Sequence, residues 1–557
     1  MKRLGAITLA LLIGWVFPSG AASVSKTVSK SKSIKLTIIG TNDFHGALEA
    51  RHGKMVGGRQ IGGMDYIAAY FNAVRRDNPS GLLILDGGDL YQGTLLSAAS
   101  EGRAVVQFYN DLKYTASAIG NHDFDFGPVG YKSVPSRKGQ DPLGVLKKRI
   151  KQAHFPFLAA NMIVRETGKP PTWPGFAQYV IVQRKGVKIG IIGLMAIDTG
   201  VTTHPANVRG LEFKPLLPSL RRVLPEVRKK GATVIILVAH SGLKVDEKTG
   251  EIKGPLADLI HKLQPHEVDL IVGGHNHIPF AGVVSNVVVL QSWAHGISFG
   301  RAELFVDALT HKVLPEKTKV YDNTFYLHEN RDGSAIEFMG VRIKPVMAFR
   351  KKLQSFGHAI AHLERIRLGR AACELPNQTK LDSPVGNLVT DAMRASDPEI
   401  AIAMYNSGGL RTFIPAGVVT FGRIYEVVPF DNCLVKVTLS GKQIREILEH
   451  GLSASYGIME ISGLKVEFDP DRRPGERCVS IMTEKGPLDD DRLYIVGTNE
   501  FLINGGDGYN TFSRGSNVKF THNLIRELVA QYIKHKGTVQ PEMGGRYRPA
   551  KQQCGGK

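Results

Sequence analysis

From residue 35 onward, short β-branched apolar runs alternate with longer amphipathic segments. Leu36 to Gly40, Leu82 to Leu85, Val187 to Leu194, Thr233 to Val238, Asp269 to Val272 and Val287 to Leu290 are continuously apolar or nearly so. A strand that is apolar on both faces is one covered on both faces, so these runs predict strands buried between helices, with Met64 to Arg76 as one of the helices. The first part of the chain is therefore predicted to be α/β. Near Lys344 the pattern becomes a charged stretch through Arg367, with Phe349, Leu353, Phe356 and Ile360 at helical spacing, which predicts a linking helix. Beyond it, Gly386 to Ala395, Val435 to Leu439 with Gln443 to His450, and Leu493 to Thr498 form a second α/β unit. No internal repeat or low-complexity tract interrupts the series.

These changes of pattern divide the chain into a unit over 34–340, a linking helix over 341–367 and a second unit over 368–550. Two domains suit a chain of 557 residues, which is too long for one ordinary core. The N-terminal segment 1–22 is of another kind: Lys2 and Arg3, an apolar run from Leu4 to Phe17, then small residues through Ala21, Ala22 and Ser23. This is the three-part pattern of a secretory signal peptide, and the run is shorter than the ~20 residues that cross a bilayer. The expectation is a periplasmic or secreted protein with no transmembrane anchor once the signal is removed. The Ser- and Lys-rich stretch from Ala22 to Ile34 reads as a disordered tether.

Composition narrows the chemistry. The 43% apolar and 22% charged content is that of a globular protein, and the formal charge of +20 favours anionic partners. No block of five consecutive basic residues occurs, so scattered solubilising charge accounts for the balance as well as nucleic-acid binding does, and no specific nucleic-acid partner is expected. All four cysteines, Cys373, Cys433, Cys478 and Cys554, lie in the last third, leaving three possible connectivities if they pair. Any metal site in the first 372 residues must therefore use nitrogen and oxygen ligands.

Five strand ends carry such ligands. Thr41-Asn42-Asp43-Phe44-His45-Gly46 follows the first run; taken alone, an Asp and a His there are more often a turn cap and a surface histidine. The second run ends in Asp86-Gly87-Gly88-Asp89, where two glycines permit a sharp turn; Asp89 is the ligand candidate and Asp86 reads as a structural residue bonding the N–H groups of the turn. Gly120-Asn121-His122-Asp123-Phe124-Asp125 combines an amide oxygen, a general acid and carboxylates. Ala239-His240-Ser241-Gly242 and Gly273-Gly274-His275-Asn276-His277 complete the set. In open α/β sheets the carboxyl ends of strands converge on one edge, and core packing does not explain ligands at five of them.

In this order the residues resemble the calcineurin-like metallophosphoesterases, whose domain is a β-sandwich flanked by helices. The whole chain resembles the 5′-nucleotidase and UDP-sugar hydrolase family, through Asp382-Ser383-Pro384-Val385-Gly386-Asn387-Leu388, Asn406-Ser407-Gly408-Gly409-Leu410-Arg411, Pro429-Phe430 and Asn504-Gly505-Gly506-Asp507-Gly508-Tyr509. The resemblance implies two divalent ions, with Mn, Zn, Mg or similar left open. Asp43, His45, Asp89 and His277 would hold one, and Asp89, Asn121, His240 and His275 the other, with Asp89 bridging. The family often has Gln or Asn at the place of His277. Ions ~3.5–4 Å apart would activate a shared water and neutralise phosphoryl oxygens. His122 would stabilise the phosphoryl group or protonate the leaving oxygen, oriented by Asp125.

In the second unit the resemblance implies a nucleotide site. Asn406 and Arg411 flank a glycine turn suited to a terminal phosphate, Phe430 and Phe501 would sandwich a nucleobase, and Asp507 would bind ribose. Without the resemblance, Asn-Ser-Gly-Gly is an ordinary turn and each Phe a core residue. One departure concerns the phosphate: Asn377-Gln378-Thr379-Lys380 stands where the family has an additional arginine, and a lysine lacks the bidentate fork. The implied activity is hydrolysis of nucleoside 5′-monophosphates, with UDP-sugars and cyclic nucleotides as further substrates. A thiosulfohydrolase of sulfur oxidation, which shares the layout, and a non-catalytic basic binding protein are the alternatives.

Overall fold

The structure is a computed structural model that describes residues 32–550 apart from 131, 132, 136, 378–380, 382, 454–456 and 541–544. The signal-like segment, Lys380, Asp382 and Cys554 lie outside the described residues.

The predicted runs are strands of two sheets. Ser33–Thr41, Leu82–Asp86 and Ala116–Ala118 run parallel within a seven-stranded sheet, and Val187–Met195, Val234–His240, Leu270–Val272 and Val287–Gln291 run parallel within a six-stranded one. Alternate residues explain why the runs are apolar throughout. Leu36, Ile38, Leu83 and Leu85 of one sheet meet Ile189, Ile191, Ile236 and Val238 of the other in a core between the sheets. Their neighbours point outward: Ile39, Leu82 and Ile84 pack under the helices Met64–Asp77 and Arg103–Leu112, and Ile192, Leu194, Ile235 and Leu237 under Leu216–Lys229. Each strand is buried on both faces, the arrangement that continuous apolar runs require.

The linking helix spans Met347–Glu364. It packs on the first sandwich through Phe349 and Phe356, whose ring centroids lie 5.7 and 6.3 Å from that of Phe108. Arg350 also pairs with Asp65 at 2.8 Å. Beyond it, a five-stranded sheet is built on Ile402–Asn406, Cys433–Ser440 and Leu493–Asn499, with its own cores on either face. The helix Pro384–Ala395 starts where its sequence says it should: the Ser383 hydroxyl accepts from the Gly386 N–H at 2.9 Å, and Pro384 fills the first helical position.

Cys373, Cys433 and Cys478 are free thiols, none bonded to another. Each of the three connectivities of four cysteines needs one bond among these three, so none of them is made. Among the described residues no helix is long and apolar enough to cross a membrane.

The inter-sheet core sets the stability of the first unit. Ile236 is fully buried between the sheets, so Ile236→Ala is expected to cost about 2–5 kcal/mol, read as a lower midpoint in denaturant melts with little change in slope.

Candidate active site

The parallel strands bring their carboxyl ends to one edge. Thr41 pairs with Asp86 and Asp86 with Ser117 in one sheet, while Met195 pairs with His240 in the other. The loops leaving these ends carry the candidate ligands and are tied to each other. The N–H groups of Asp43, His45 and Gly46 donate to the carbonyls of Gly88, Asp89 and Leu90 at 2.9, 3.0 and 2.9 Å. Asp86 is structural, its Oδ1 accepting from the Gly88 N–H at 2.8 Å and its Oδ2 from the Thr41 hydroxyl at 2.6 Å. Asp43, His45, Asp89, His275 and His277 all have left-handed backbones, with φ of 49°, 50°, 61°, 81° and 59°. Such residues cost roughly 1–3 kcal/mol each and persist only where the surroundings force them, as at functional sites.

Two overlapping clusters result. In the first, His277 Nε2 lies 3.0 Å from His45 Nε2 and 3.5 Å from Asp43 Oδ1, and His45 Nε2 lies 3.8 Å from Asp89 Oδ2. In the second, His240 Nε2 lies 3.2 Å from the same Asp89 oxygen and 2.9 Å from Asn121 Oδ1. His275 Nδ1 is 3.1 Å from Asn121 Oδ1 and 3.3 Å from His240 Nε2. Asp43, His45 and His277 each present a donor atom within 4.8 Å of the others, as do Asp43, Asp89 and His240.

The donor chemistry suits divalent cations. The Nδ1–H of His45 donates to the Gln92 carbonyl at 2.9 Å and that of His240 to the Gly87 carbonyl at 2.8 Å, which turns both Nε2 atoms toward the cluster. Burial works against the charge on Asp43 and Asp89, yet the facing imidazoles outweigh it, holding Asp43 down at about 2 and Asp89 well below the usual carboxylate range. His240, which burial would keep neutral, is pushed up to about 10 by Asp89. Buried carboxylates that keep their charge demand positive charge beside them.

His122 stands apart from this set. Its backbone N–H donates to Asp89 Oδ1 at 2.8 Å, and its Nδ1–H donates to Asp125 Oδ2 at 2.6 Å. Burial opposes protonation of the ring, but Asp125 and Asp89 prevail and raise its pKa. Asp125 Oδ1 in turn accepts from the Thr203 hydroxyl at 2.7 Å.

The second unit faces the clusters across a cavity of about 740 Å³. Arg411 reaches over it, its Nη2 3.3 Å from His45 Nε2. Asn406 Nδ2 donates to Asp507 Oδ2 at 2.8 Å, and burial lifts the Asp507 carboxyl to about 6. Phe430 and Phe501 both line the cavity; the Phe430 ring lies 5.3 Å from that of His122, and the Phe501 ring rests on the backbone of Gly506. Phe501 is also part of a core cluster, so it serves packing and cavity wall together.

Residues 36–279 match the calcineurin-like phosphoesterase family, and residues 359–514 match the 5′-nucleotidase C-terminal domain. The chain belongs to the 5′-nucleotidase family. It is accordingly a phosphoric ester hydrolase. A snake venom 5′-nucleotidase of Gloydius brevicauda is 28% identical over 97% of this chain and 92% of the relative, and the 5′-nucleotidase of Bos taurus is 26% identical over 92% and 90%. The crystal structure of a 5′-nucleotidase precursor from Thermus thermophilus aligns with a TM-score of 0.79 at 28% identity, covering 93% of this chain and all of that one. A sulfate thiohydrolase, SoxB, also from Thermus thermophilus, shares the fold alone, with a TM-score of 0.73 at 19% identity over 93% of this chain and 97% of that one.

The residues that the resemblance singles out lie close together around the cavity, and others meet with them. Asp123 accepts from the N–H groups of Gly120, Leu90 and Asp89 at 2.8, 2.9 and 3.3 Å and ties two ligand loops together. Asp198, Thr203 and His204 line the cavity, and Asp198 Oδ1 lies 3.5 Å from His275 Nε2. Their signal was available: they follow Val187–Met195, a strand of the same parallel set whose exit loop had as much claim as the other five.

Gly120 is the tightest steric constraint, because a Cβ there would strike the Asp89 carboxylate and backbone N. Gly120→Ala should displace both groups and lower phosphatase activity by roughly 10²-fold, the scale of a misplaced reacting geometry, with thermal stability as the parallel readout.

Proposed function

We propose that this protein is an exported 5′-nucleotidase that uses two divalent ions to hydrolyse nucleoside 5′-monophosphates to nucleoside and phosphate, with UDP-sugars or cyclic nucleotides as further substrates. In this reading, residues 34–340 are the phosphoesterase domain, 341–367 the linking helix and 368–550 the substrate domain. The segment 1–22 is removed on export to the periplasm or the medium. The observation that carries the reading is one cavity lined by His122, His275 and His277 from one unit and by Arg411, Phe430, Phe501 and Asp507 from the other. A phosphate at the clusters and a base between the aromatic rings would occupy its two ends.

Asp43, His45, Asp89 and His277 would hold one ion and Asp89, Asn121, His240 and His275 the other, the Asp89 carboxylate being common to both sets. When bound, such ions lower the pKa of a water and offset charge on the phosphoryl oxygens, and nitrogen and oxygen donors suit Mn, Zn, Mg or similar. The rest falls to side chains. Arg411 offers a planar fork to the phosphate, strengthened by burial within the cleft. His122, with Nδ1 committed to Asp125, presents Nε2 for the phosphoryl group or the leaving oxygen. Phe430 and Phe501 offer π-faces to the base, and Asp507, steadied by Asn406, accepts from ribose hydroxyls.

Three measurements test this reading. Elemental analysis of the active mature protein should give two divalent ions per chain, with activity lost on chelation; one ion in a fully active preparation refutes the shared role of Asp89. His122→Ala should lower turnover roughly 10²–10⁴-fold with metal content intact, and near-normal turnover refutes its assigned role. Phe430→Ala should weaken AMP binding by about 1–3 kcal/mol while turnover of a small aryl phosphate changes far less. Equal loss on both substrates would place the ring in packing alone.

A further inference from the structure

The loop after the strand Val187–Met195 meets three residues of the candidate site, each through an atom that their contacts with one another leave over. The Thr203 hydroxyl donates to Asp125 Oδ1 at 2.7 Å, the Thr202 carbonyl accepts from Asn121 Nδ2 at 2.9 Å, and Asp198 Oδ1 lies 3.5 Å from His275 Nε2. An ordinary local role does not explain the third contact. Asp198 directly precedes the short helix Thr199–Thr202, where an aspartate usually accepts from the first helical N–H groups, yet its carboxylate makes no capping bond. Its backbone is firmly held, the carbonyl accepting from the N–H groups of Val201 and Thr202 at 2.9 and 3.1 Å and from the Thr202 hydroxyl at 3.1 Å. The side chain lines the cavity on the side of His275.

His275 is oriented differently from the other histidines of the clusters. His45 and His240 give Nδ1–H to backbone carbonyls and turn Nε2 inward. The His275 ring is reversed: Nδ1 faces Asn121 Oδ1 and His240 Nε2 at 3.1 and 3.3 Å, and Nε2 faces Asp198. To serve an ion through Nδ1, a neutral ring must carry its proton on Nε2. The other tautomer has its own attraction, because an Nδ1–H could donate to the Asn121 oxygen. A carboxylate opposite Nε2 tips the balance. At 3.5 Å it acts by its charge on the N–H dipole rather than through a short hydrogen bond, and a carboxylate behind a ligating imidazole also makes the ring a stronger donor.

We propose that Asp198 is a positioning residue for His275, holding the imidazole proton on Nε2 so that Nδ1 is left bare for the ion assigned to Asp89, Asn121, His240 and His275. The proposal rests on the two-ion reading above. The same loop fixes a second member of that set, since Asn121 Nδ2, committed to the Thr202 carbonyl, leaves Oδ1 turned toward His240 and His275. The other set, Asp43, His45, Asp89 and His277, shares only Asp89 with it. Loss of the Asp198 charge is therefore felt at one ion and not at both.

The test is a calorimetric titration of the chelator-stripped, full-length mature protein with Mn2+, for the parent, Asp198→Asn, Thr203→Val and His275→Ala. Asparagine keeps the size of the side chain and removes its charge. Valine removes the neighbouring hydroxyl that serves Asp125 and so reports on disturbance of the loop, while His275→Ala identifies the equivalent to which His275 contributes. The parent is expected to bind two equivalents. In Asp198→Asn the equivalent that His275→Ala loses or weakens should bind roughly 10–100-fold more weakly, with the other unchanged. Thr203→Val should bind both as the parent does. Turnover of AMP and of a small aryl phosphate by Asp198→Asn should fall together at limiting Mn2+ and recover together at saturating Mn2+. Unchanged affinity for both equivalents in Asp198→Asn overturns the proposal. An equal weakening of both, or the same weakening in Thr203→Val, overturns it by making the loop structural. A raised KM for AMP alone at saturating Mn2+ overturns it by making Asp198 a substrate contact. A parent that binds fewer than two equivalents refutes the two-ion reading itself, a result legible before any variant is made.

Discussion

The cleft is organised about one buried carboxylate. Asp89 lies at the seam between the two sheets of the sandwich, with one oxygen facing both His45 and His240 and the other accepting from the His122 N–H. A carboxylate removed from water is costly unless positive charge or hydrogen bonds compensate it. Each element around it can be read as part of that compensation. Imidazoles from both sheets turn toward it, the loop of Asn121 gives it a backbone donor, and Gly120 leaves the space its side chain needs. Asp123, fed by three N–H groups, holds the two loops in register beneath it.

Such a site is destabilising in itself, which explains its place in the fold. Five ligand candidates adopt left-handed backbones at roughly 1–3 kcal/mol each. The strain is offset by the sandwich, where the parallel strands are apolar on both faces and the inter-sheet core is made of buried aliphatic side chains. Loops anchored on rigid strand ends can be held in geometries that a freestanding loop would abandon. Stability and chemistry are thus separated along each strand, with the packing in its body and the polar residues beyond its carboxyl end.

The second unit completes the cleft rather than merely adjoining it. Arg411 reaches to within 3.3 Å of His45, and the Phe430 ring stands 5.3 Å from His122, so side chains of the second unit are packed directly on those at the strand ends of the first. The linking helix lies on the first sandwich through Phe349, Phe356 and Arg350. The loop carrying Thr203 and His204 bridges from the Asp125 carboxylate to the Phe501 ring and belongs to both halves of the cleft.

The strands, the linking helix and the ligand motifs were legible in the sequence, because a buried parallel strand must be continuously apolar and its exit loop must follow at once. Asp86 as a turn residue could be read from the glycines beside it. The tertiary structure alone decided which polar residues meet. Arg411 and His45 are 366 residues apart, and Asn406 and Asp507 are 101 apart. No local pattern records such a contact. Phe501 as both core and cavity wall and Asp123 as a clamp were equally hidden, since the local sequence shows what each can offer but not which groups it will meet. A residue's type and its neighbours in the chain determine what it can donate, accept or bury. Which of these it does is set by the groups that folding brings within hydrogen-bond reach and by the water that folding removes.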